Sequence, residues 1–529
     1  MTSRVYLRQN ALAEPLYGRW YAWPYLVSPM TAPMYVENLH VRLMESFIEN
    51  PQIHVAALRN PEMAGGPFLG HEESRVPDVA RLLEDTRRES AALLRFAADV
   101  QEFTRVLASR ADGCSLEALY SQVPDSLRGF VELVYDVNHQ AAIRFIEPLL
   151  YRSRLYDEGA QSIELSVVEG DDRAFVFNTP RLDEEERLVV SLPFRSDALD
   201  RLFRMREEPQ DPGLAREALG LGGSADALFS RLFTESAPGA SPACPPGTVR
   251  VRYFGHACVL VESDQATVLT DPVIAYEHGS GHSRLSWADL PARIDYALIT
   301  HAHQDHCMLE TLLALRHKIG HVVVPRNSGG GLADPSLKLV LEAAGFRSVI
   351  ELDELGRIDL PGGAITSIPF FGEHGDLAIR SKTTYLVRLL DRSFLFCADS
   401  NAFEPAVYDH LRDLLGDLEA VFVGMECEGA PMSWLYGPLV TAPLARRMDQ
   451  SRRLDGSDCE RAMGLVTRLR PRAVYVYAMG AEPWLTYLTS IHYTDESRPI
   501  VESRALVQAC TALGIPAEVL FGTKEMVYR

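Results

Sequence analysis

Apolar positions change their period along the chain. Tyr35 to Asn50 and Val79 to Ser109 carry apolar residues at helical spacing, the second with Leu82, Leu83, Leu93, Leu94, Phe96, Val100 and Phe103 along one face. Each predicts an amphipathic helix. Ser126 to Tyr151 predicts another, whereas Met1 to Pro33, rich in aromatics and prolines, reads as irregular. Alternation then takes over in Ser162 to Val167, Phe175 to Phe177 and Leu188 to Val190, which predicts strands, and Asp197 to Met205 returns to helix. Residues 1–235 are thus expected to form an α+β domain. The stretch 236–247, built of Pro, Gly, Ala and Ser with one Cys, reads as a linker.

Past the linker the pattern is dominated by short apolar runs. Val249 to Phe254 and Ala257 to Glu262 predict a hairpin around Gly255-His256. Further strands are expected at Ala266 to Thr270, Tyr296 to Thr300, His321 to Pro325, Ala364 to Ile368, Thr384 to Leu390, Ser393 to Ala398, Ala420 to Gly424 and Ala473 to Ala478. Helical spacing at Met308 to Leu315 and Tyr408 to Leu415 interleaves with them. The fold class is therefore α/β, with residues 248–529 expected as a layered αββα sandwich whose site lies on one edge.

Composition narrows the function classes. A chain of 529 residues predicts two or three domains, and 47% hydrophobic content supports sizeable cores. The formal charge of −20 argues against nucleic acid and anionic membranes as partners. Met1 to Pro33 lacks the apolar core of a secretory signal, and no stretch approaches the roughly 20 apolar residues of a membrane span. Eight scattered cysteines with no C-x-x-C read as reduced thiols, which predicts a cytoplasmic protein. In the first domain His40, His54, His71 and His139 are isolated, each expected to be a surface or hydrogen-bonded histidine.

One stretch concentrates chemistry. Thr300-His301-Ala302-His303-Gln304-Asp305-His306 places three imidazoles and a carboxylate within six residues, directly after an apolar strand and before a helix. Neutral imidazole nitrogens and carboxylate oxygens converging on a strand-to-helix turn are metal ligands. Downstream strand ends supply more carboxylates. Phe370 to Asp376 contains Glu373 and His374, either of which fits the next ligand position. Asp399 ends an apolar strand, and Glu426 and Glu428 follow Val421 to Gly424. Cys307, Cys397 and Cys427 neighbour these positions and are expected to be buried packing residues. His410, on a predicted surface helix, and His492, far along the chain, are not expected to join the set. Three histidines with up to four carboxylates suit iron or manganese better than a nitrogen-rich zinc site would.

The order Gly255-His256-Ala257, Thr270-Asp271-Pro272 and then H-x-H-x-D-H resembles the metallo-β-lactamase superfamily over roughly residues 248 to 525. That resemblance implies a dinuclear site with His301 and His303 on one metal and Asp305 and His306 on the other. Asp271 would orient a ligand imidazole through its other nitrogen. The Gly372-Glu373-His374-Gly375 context and the strand-terminal Asp399 extend the likeness. The chain resembles the diiron β-hydroxylases of nonribosomal peptide pathways, of the chloramphenicol-pathway type. The resemblance implies His301, His303, Asp305, His306, Glu373 and Asp399 as iron ligands, Glu426 as a further carboxylate on the second iron, and Glu373 and Asp399 at the catalytic centre.

The implied activity is β-hydroxylation of an amino acid tethered to the phosphopantetheine arm of a peptide carrier domain. Two iron ions, dioxygen and an external two-electron donor are implied, with the first domain serving homodimer contacts or carrier docking. A dizinc hydrolase (lactonase, phosphodiesterase or thioesterase) is the alternative. Trp434, Tyr436 and Trp484, in aromatic loops after two strands, are expected to line a substrate pocket.

Overall fold

Two seven-stranded sheets face one another in the C-terminal part of the computed structural model, which describes residues 4–60, 63–222, 226–279 and 281–529. The first sheet runs in the order Val349–Leu352, Ile319–Pro325, Ile294–Leu298, Thr267–Thr270, Cys258–Glu262, Val249–Gly255, Lys524–Tyr528. The second runs Arg357–Leu360, Gly363–Ile368, Thr384–Leu389, Arg392–Phe396, Ala420–Gly424, Val474–Tyr477, Ala517–Val519. In each sheet antiparallel hairpins give way to parallel strands joined through helices.

Strand alternation explains the layers. In Cys258–Glu262, Val259 and Val261 face the core between the sheets, while Cys258 and Leu260 face the outer layer. In Ala420–Gly424, Ala420 and Phe422 face inward, and Val421 and Val423 face helices Ala406–Leu415 and Cys459–Leu469. Because both faces of these strands are covered, they are apolar almost throughout. Helices Leu309–Leu315 and Leu337–Ala343 cover the other outer face. The αββα sandwich is therefore as expected.

The N-terminal domain packs on that second helical face. Its four-stranded sheet has the order Trp20–Tyr21, Ala11–Tyr17, Gln161–Val167, Leu188–Ser191. One continuous apolar cluster joins it to the outer face of the first sandwich sheet, although 236–247 carries neither helix nor strand. Buried polar contacts cross the junction. Arg173 pairs with Glu14 at 3.0 Å and with Glu310 at 2.8 Å, and Arg316 donates to Asp200 and to the Phe194 carbonyl. Among the described residues no helix is long and apolar enough to cross a membrane.

Four expected elements differ. Within Met1 to Pro33 the strand Ala11–Tyr17 is fully buried and central to its sheet. Pro15 is tolerated there because its carbonyl takes the Ala22 amide on the side where the short strand Trp20–Tyr21 has already ended, so no N–H is needed. Val79 to Ser109 is two helices, Val76–Glu89 and Ala91–Arg110, broken at Ser90. Ser126 to Tyr151 is not a helix but a hairpin, Val131–Tyr135 with Ala141–Phe145, followed by the short helix Glu147–Leu150. Its turn is fixed by Asp136, whose Oδ1 accepts the Asn138 and Gln140 amides. Phe175 to Phe177 forms no strand.

Candidate metal centre

The ligand candidates leave the sandwich at strand ends on one edge. His301, His303, Asp305 and His306 follow Ile294–Leu298, Glu373 follows Gly363–Ile368, Asp399 follows Arg392–Phe396, and Glu426 follows Ala420–Gly424. Several residues here hold left-handed backbone: His256 (φ 50°), Asp271 (φ 33°), Glu373 (φ 68°) and Ala398 (φ 45°). Such conformations disfavour L-residues and persist where surrounding structure enforces them.

Three groups of ligand atoms converge: His301, His303 and Glu373; His301, His306 and Asp399; His256, Asp305 and His306. His303 Nδ1 lies 2.5 Å from Glu373 Oε1, and His306 Nε2 lies 2.9 Å from Asp399 Oδ2. His301 Nε2 stands between, 3.6 Å from Glu373 and 3.9 Å from Asp399. Asp305 lies 4.0 Å from His306.

Each imidazole of the motif is held from behind. His306 Nδ1 lies 2.8 Å from Asp271 Oδ2, which also accepts the Thr300 hydroxyl at 2.6 Å. That hydroxyl, its own proton committed, accepts from His301 Nδ1 at 3.0 Å. His303 Nε2 lies 2.6 Å from Tyr436 Oη. Asp271 and the committed Thr300 hydroxyl set the Nδ1–H form of neutral His306 and His301, so that their Nε2 atoms face the centre, and Tyr436 holds the His303 ring with Nδ1 toward Glu373. His301 Nε2, His306 Nε2, Glu373 Oε2 and Asp399 Oδ1 are buried and have no hydrogen-bond partner. Orphaned buried groups of these chemistries, aimed at common points, fit metal ions.

The side-chain electrostatics differ between the imidazoles. Burial, reinforced by the neighbouring imidazoles, holds His301 well below the usual histidine range. At His306 burial is outweighed by Asp399, Asp305 and Asp271, which raise it. Against the burial penalty, His303 and His374 hold Glu373 down at about 2. Burial and the charges of Asp399, Asp305 and Glu373 push Glu426 well above the carboxylate range. Such crowding of carboxylates is relieved by bound cations.

The sequence candidates separate here. Glu373 rather than His374 joins a ligand group. The His374 ring stacks on His303 instead, and its Nδ1 lies 2.9 Å from Glu373 Oε2. Glu426 falls in none of the three groups but faces the adjoining cavity beside Asp305 and Asp399, and Glu428 is exposed at the rim. His410 and His492 are exposed, and Cys307, Cys397 and Cys427 are buried free thiols outside the ligand groups.

His256 is the residue that sequence reasoning passed over. Its Nε2 lies 3.2 Å from Asp305 Oδ2, while the Gly480 amide donates to its Nδ1 at 3.2 Å. A neutral ring therefore carries its proton on the atom facing Asp305. The only sequence signal was the Gly255-His256-Ala257 turn, remote from the motif.

A cavity of about 380 Å³ opens onto the centre. Trp434 lines it, together with Phe175 and Phe177 of the N-terminal domain. Tyr436 is instead fully buried as the partner of His303. Trp484 does not line it, contrary to expectation. That ring packs against Gly255, where a Cβ would come within 3.3 Å, and under the Arg284 guanidinium at 4.3 Å.

Residues 6–238 match the family described as the diiron non-heme beta-hydroxylase N-terminal domain, and residues 266–475 match a beta-lactamase superfamily domain. A 4-amino-L-phenylalanyl-[CmlP-peptidyl-carrier-protein] 3-hydroxylase from Streptomyces venezuelae is 41% identical over 528 residues, 98% of each chain. The crystal structure of CmlA, a diiron beta-hydroxylase from the same organism, superposes with a TM-score of 0.92 at 38% identity, covering 99% of this chain and 100% of that one. A mutant of CmlA superposes with a TM-score of 0.90 over the same shares.

Proposed function

This chain belongs to the diiron non-haem β-hydroxylases, and from that premise we propose that it hydroxylates the β-carbon of an aromatic amino acid held as a thioester on a peptide carrier domain. The S. venezuelae relative, named for a 4-amino-L-phenylalanyl group on a peptidyl carrier protein, supports this substrate class. The carrier would belong to a nonribosomal peptide synthetase of a natural-product pathway. Dioxygen is the proposed co-substrate, with two electrons from an external donor.

The observation that carries the reading is the carboxylate at Glu373. A dizinc hydrolase of the metallo-β-lactamase type would take a histidine there, and His374 is turned aside. Hard oxygen donors favour iron, and iron offers a redox change that zinc lacks. In this reading His301, His303 and Glu373 hold one iron. Asp305, His306 and Asp399 hold the other, and Glu426 supplies a further carboxylate from the cavity side. Two irons bound there supply the reduction of dioxygen and the oxidation of a C–H bond. Asp271, Thr300 and Tyr436 keep the imidazole rings aimed inward. Phe175, Phe177 and Trp434 would receive the aromatic side chain and exclude water.

The N-terminal domain, residues 1–235, contributes walls to the cavity, which supports a role in carrier docking. A homodimer and a cytoplasmic location complete the proposal. The test is metal analysis of protein from iron-supplemented cells, paired with mass measurement of loaded carrier domains. Near two irons per chain and an oxygen-dependent gain of one oxygen atom on the aminoacyl group are expected. Zinc in both sites with anaerobic turnover would overturn the proposal in favour of hydrolysis.

A further inference from the structure

Beyond the carboxylates assigned to the metals, the cavity lining holds two charged residues, Glu428 and Arg453. At its inner end stand the carboxylates of Asp305, Glu373, Asp399 and Glu426, and among the described lining residues Arg453 is the one full-time cation. Arg453 is exposed. Its charge is felt by Asp455, but among the described residues no close ion pair holds its guanidinium. It is a cation at the mouth of an acidic cavity.

Its backbone is rigidly placed. Residues 426–432 and 452–456 run as a short ladder: Leu454 N donates to Ala430 O at 2.9 Å, Met432 N to Arg452 O at 3.0 Å, and Gly456 N to Glu426 O at 2.7 Å. Pro431 and Arg453 are paired across it. The two strands approach so closely that a Cβ on Gly429 would stand 1.2 Å from the Leu454 carbonyl oxygen. Adjacent side chains on an extended segment point to opposite sides. Arg452 accordingly turns away, donating to the Gly375 carbonyl at 2.7 Å, while Arg453 faces the cavity. The same ladder thus ties Arg453 to Glu426 at the metal end. Nearby Arg446 and Arg447 are exposed, and Asp449 between them and the ladder is engaged by the Ser433 amide and hydroxyl. At the rim Arg453 shares the lining with the exposed Glu428 and is its single cation among the described residues.

We propose that Arg453 is the phosphate anchor for the phosphopantetheine arm, binding its phosphodiester at the cavity mouth while the thioester and amino acid extend inward. This rests on the carrier-tethered substrate proposed above. A phosphodiester stays anionic at neutral pH, and the arm enters with its phosphate outermost because the aminoacyl thioester at its other end must reach the metal centre. The planar guanidinium can pair with two phosphate oxygens at once. Fixing the phosphate fixes how far the arm reaches, and therefore which carbon meets the centre.

The test uses full-length, iron-loaded protein under anaerobic conditions. The probes are two 4-aminophenylalanyl thioesters, one of phosphopantetheine and one of pantetheine, which lacks the phosphate. Binding is followed by calorimetry. Arg453→Gln is expected to weaken the phosphorylated thioester about tenfold, to leave the other unchanged, and to be partly rescued by Arg453→Lys. Inorganic phosphate should compete with the phosphorylated thioester in the unsubstituted protein alone. Equal losses on both thioesters, or no loss on either, would overturn the phosphate site while leaving the hydroxylase reading intact. Failure of the unsubstituted protein to bind the phosphorylated thioester would also overturn the phosphate site, whereas hydroxylation of free 4-aminophenylalanine as fast as of the carrier-loaded amino acid would overturn the carrier-tethered reading itself.

Discussion

Tyr436 Oη lies 2.6 Å from His303 Nε2, so a residue 133 positions along the chain sets which nitrogen of the motif histidine faces the metal centre. Tyr436 is fully buried between the Tyr25 and His374 rings. Tyr436→Phe keeps that packing and removes the hydroxyl. Iron affinity, measured by chelator competition, should fall about 10- to 100-fold, while the unfolding free energy changes by only about 1 kcal/mol. Unchanged affinity would mean that the motif alone orients His303.

Asp271 holds His306 through Nδ1 and Thr300 through both its amide and its hydroxyl. Asp271→Asn keeps the volume but removes the charge that stabilises the Nδ1–H tautomer. One of the two irons should then bind about 10- to 100-fold more weakly than the other. Metal titration followed by absorption would show this as a second, weaker phase that the unsubstituted protein lacks.

Glu373→His replaces the oxygen donor beside His303 with nitrogen. The variant should lose oxygen-dependent hydroxylation and, grown with both metals present, retain more zinc than the unsubstituted protein. Hydroxylation at the original rate would remove Glu373 from the ligand set.

His40 stacks face to face on Trp20 at 3.8 Å, and burial pushes its pKa down to about 3. The unfolded chain takes up that proton near pH 6.5 and the folded one does not. The contribution to stability is therefore complete above about pH 6.5 and falls by roughly 1.4 kcal/mol per pH unit below it, until the folded pKa is reached. His40→Phe retains the stacked ring without the titration. Between pH 7 and pH 4.5 it should lose about 3 kcal/mol less stability than the unsubstituted protein, as measured by urea unfolding. Parallel pH profiles for the two would show that His40 is protonated in the folded state.

Much of the sandwich and the core of the centre were legible in the sequence because both are local. A buried strand needs a run of apolar residues, and a ligand turn needs its donors within a few positions of the strand end. The run from Thr300 to His306 and Asp399 after Phe396 meet those conditions on their own. Asp271 was visible as a turn residue, and its grip on His306 follows from two neighbouring parallel strands ending side by side. Where local pattern was ambiguous, it misled. The hairpin 131–145 carries apolar residues that fit helical spacing as well as alternation, and Ala11–Tyr17 is hidden by a proline that only its short neighbour strand excuses. Tertiary structure decided everything that depends on distant segments meeting: His256 against Asp305, Tyr436 behind His303, Trp484 against Gly255, and Phe175, Phe177 and Arg453 around one cavity. A side chain's type limits what it can do, but its partner is chosen by packing between segments far apart in the chain, and no local periodicity records that choice.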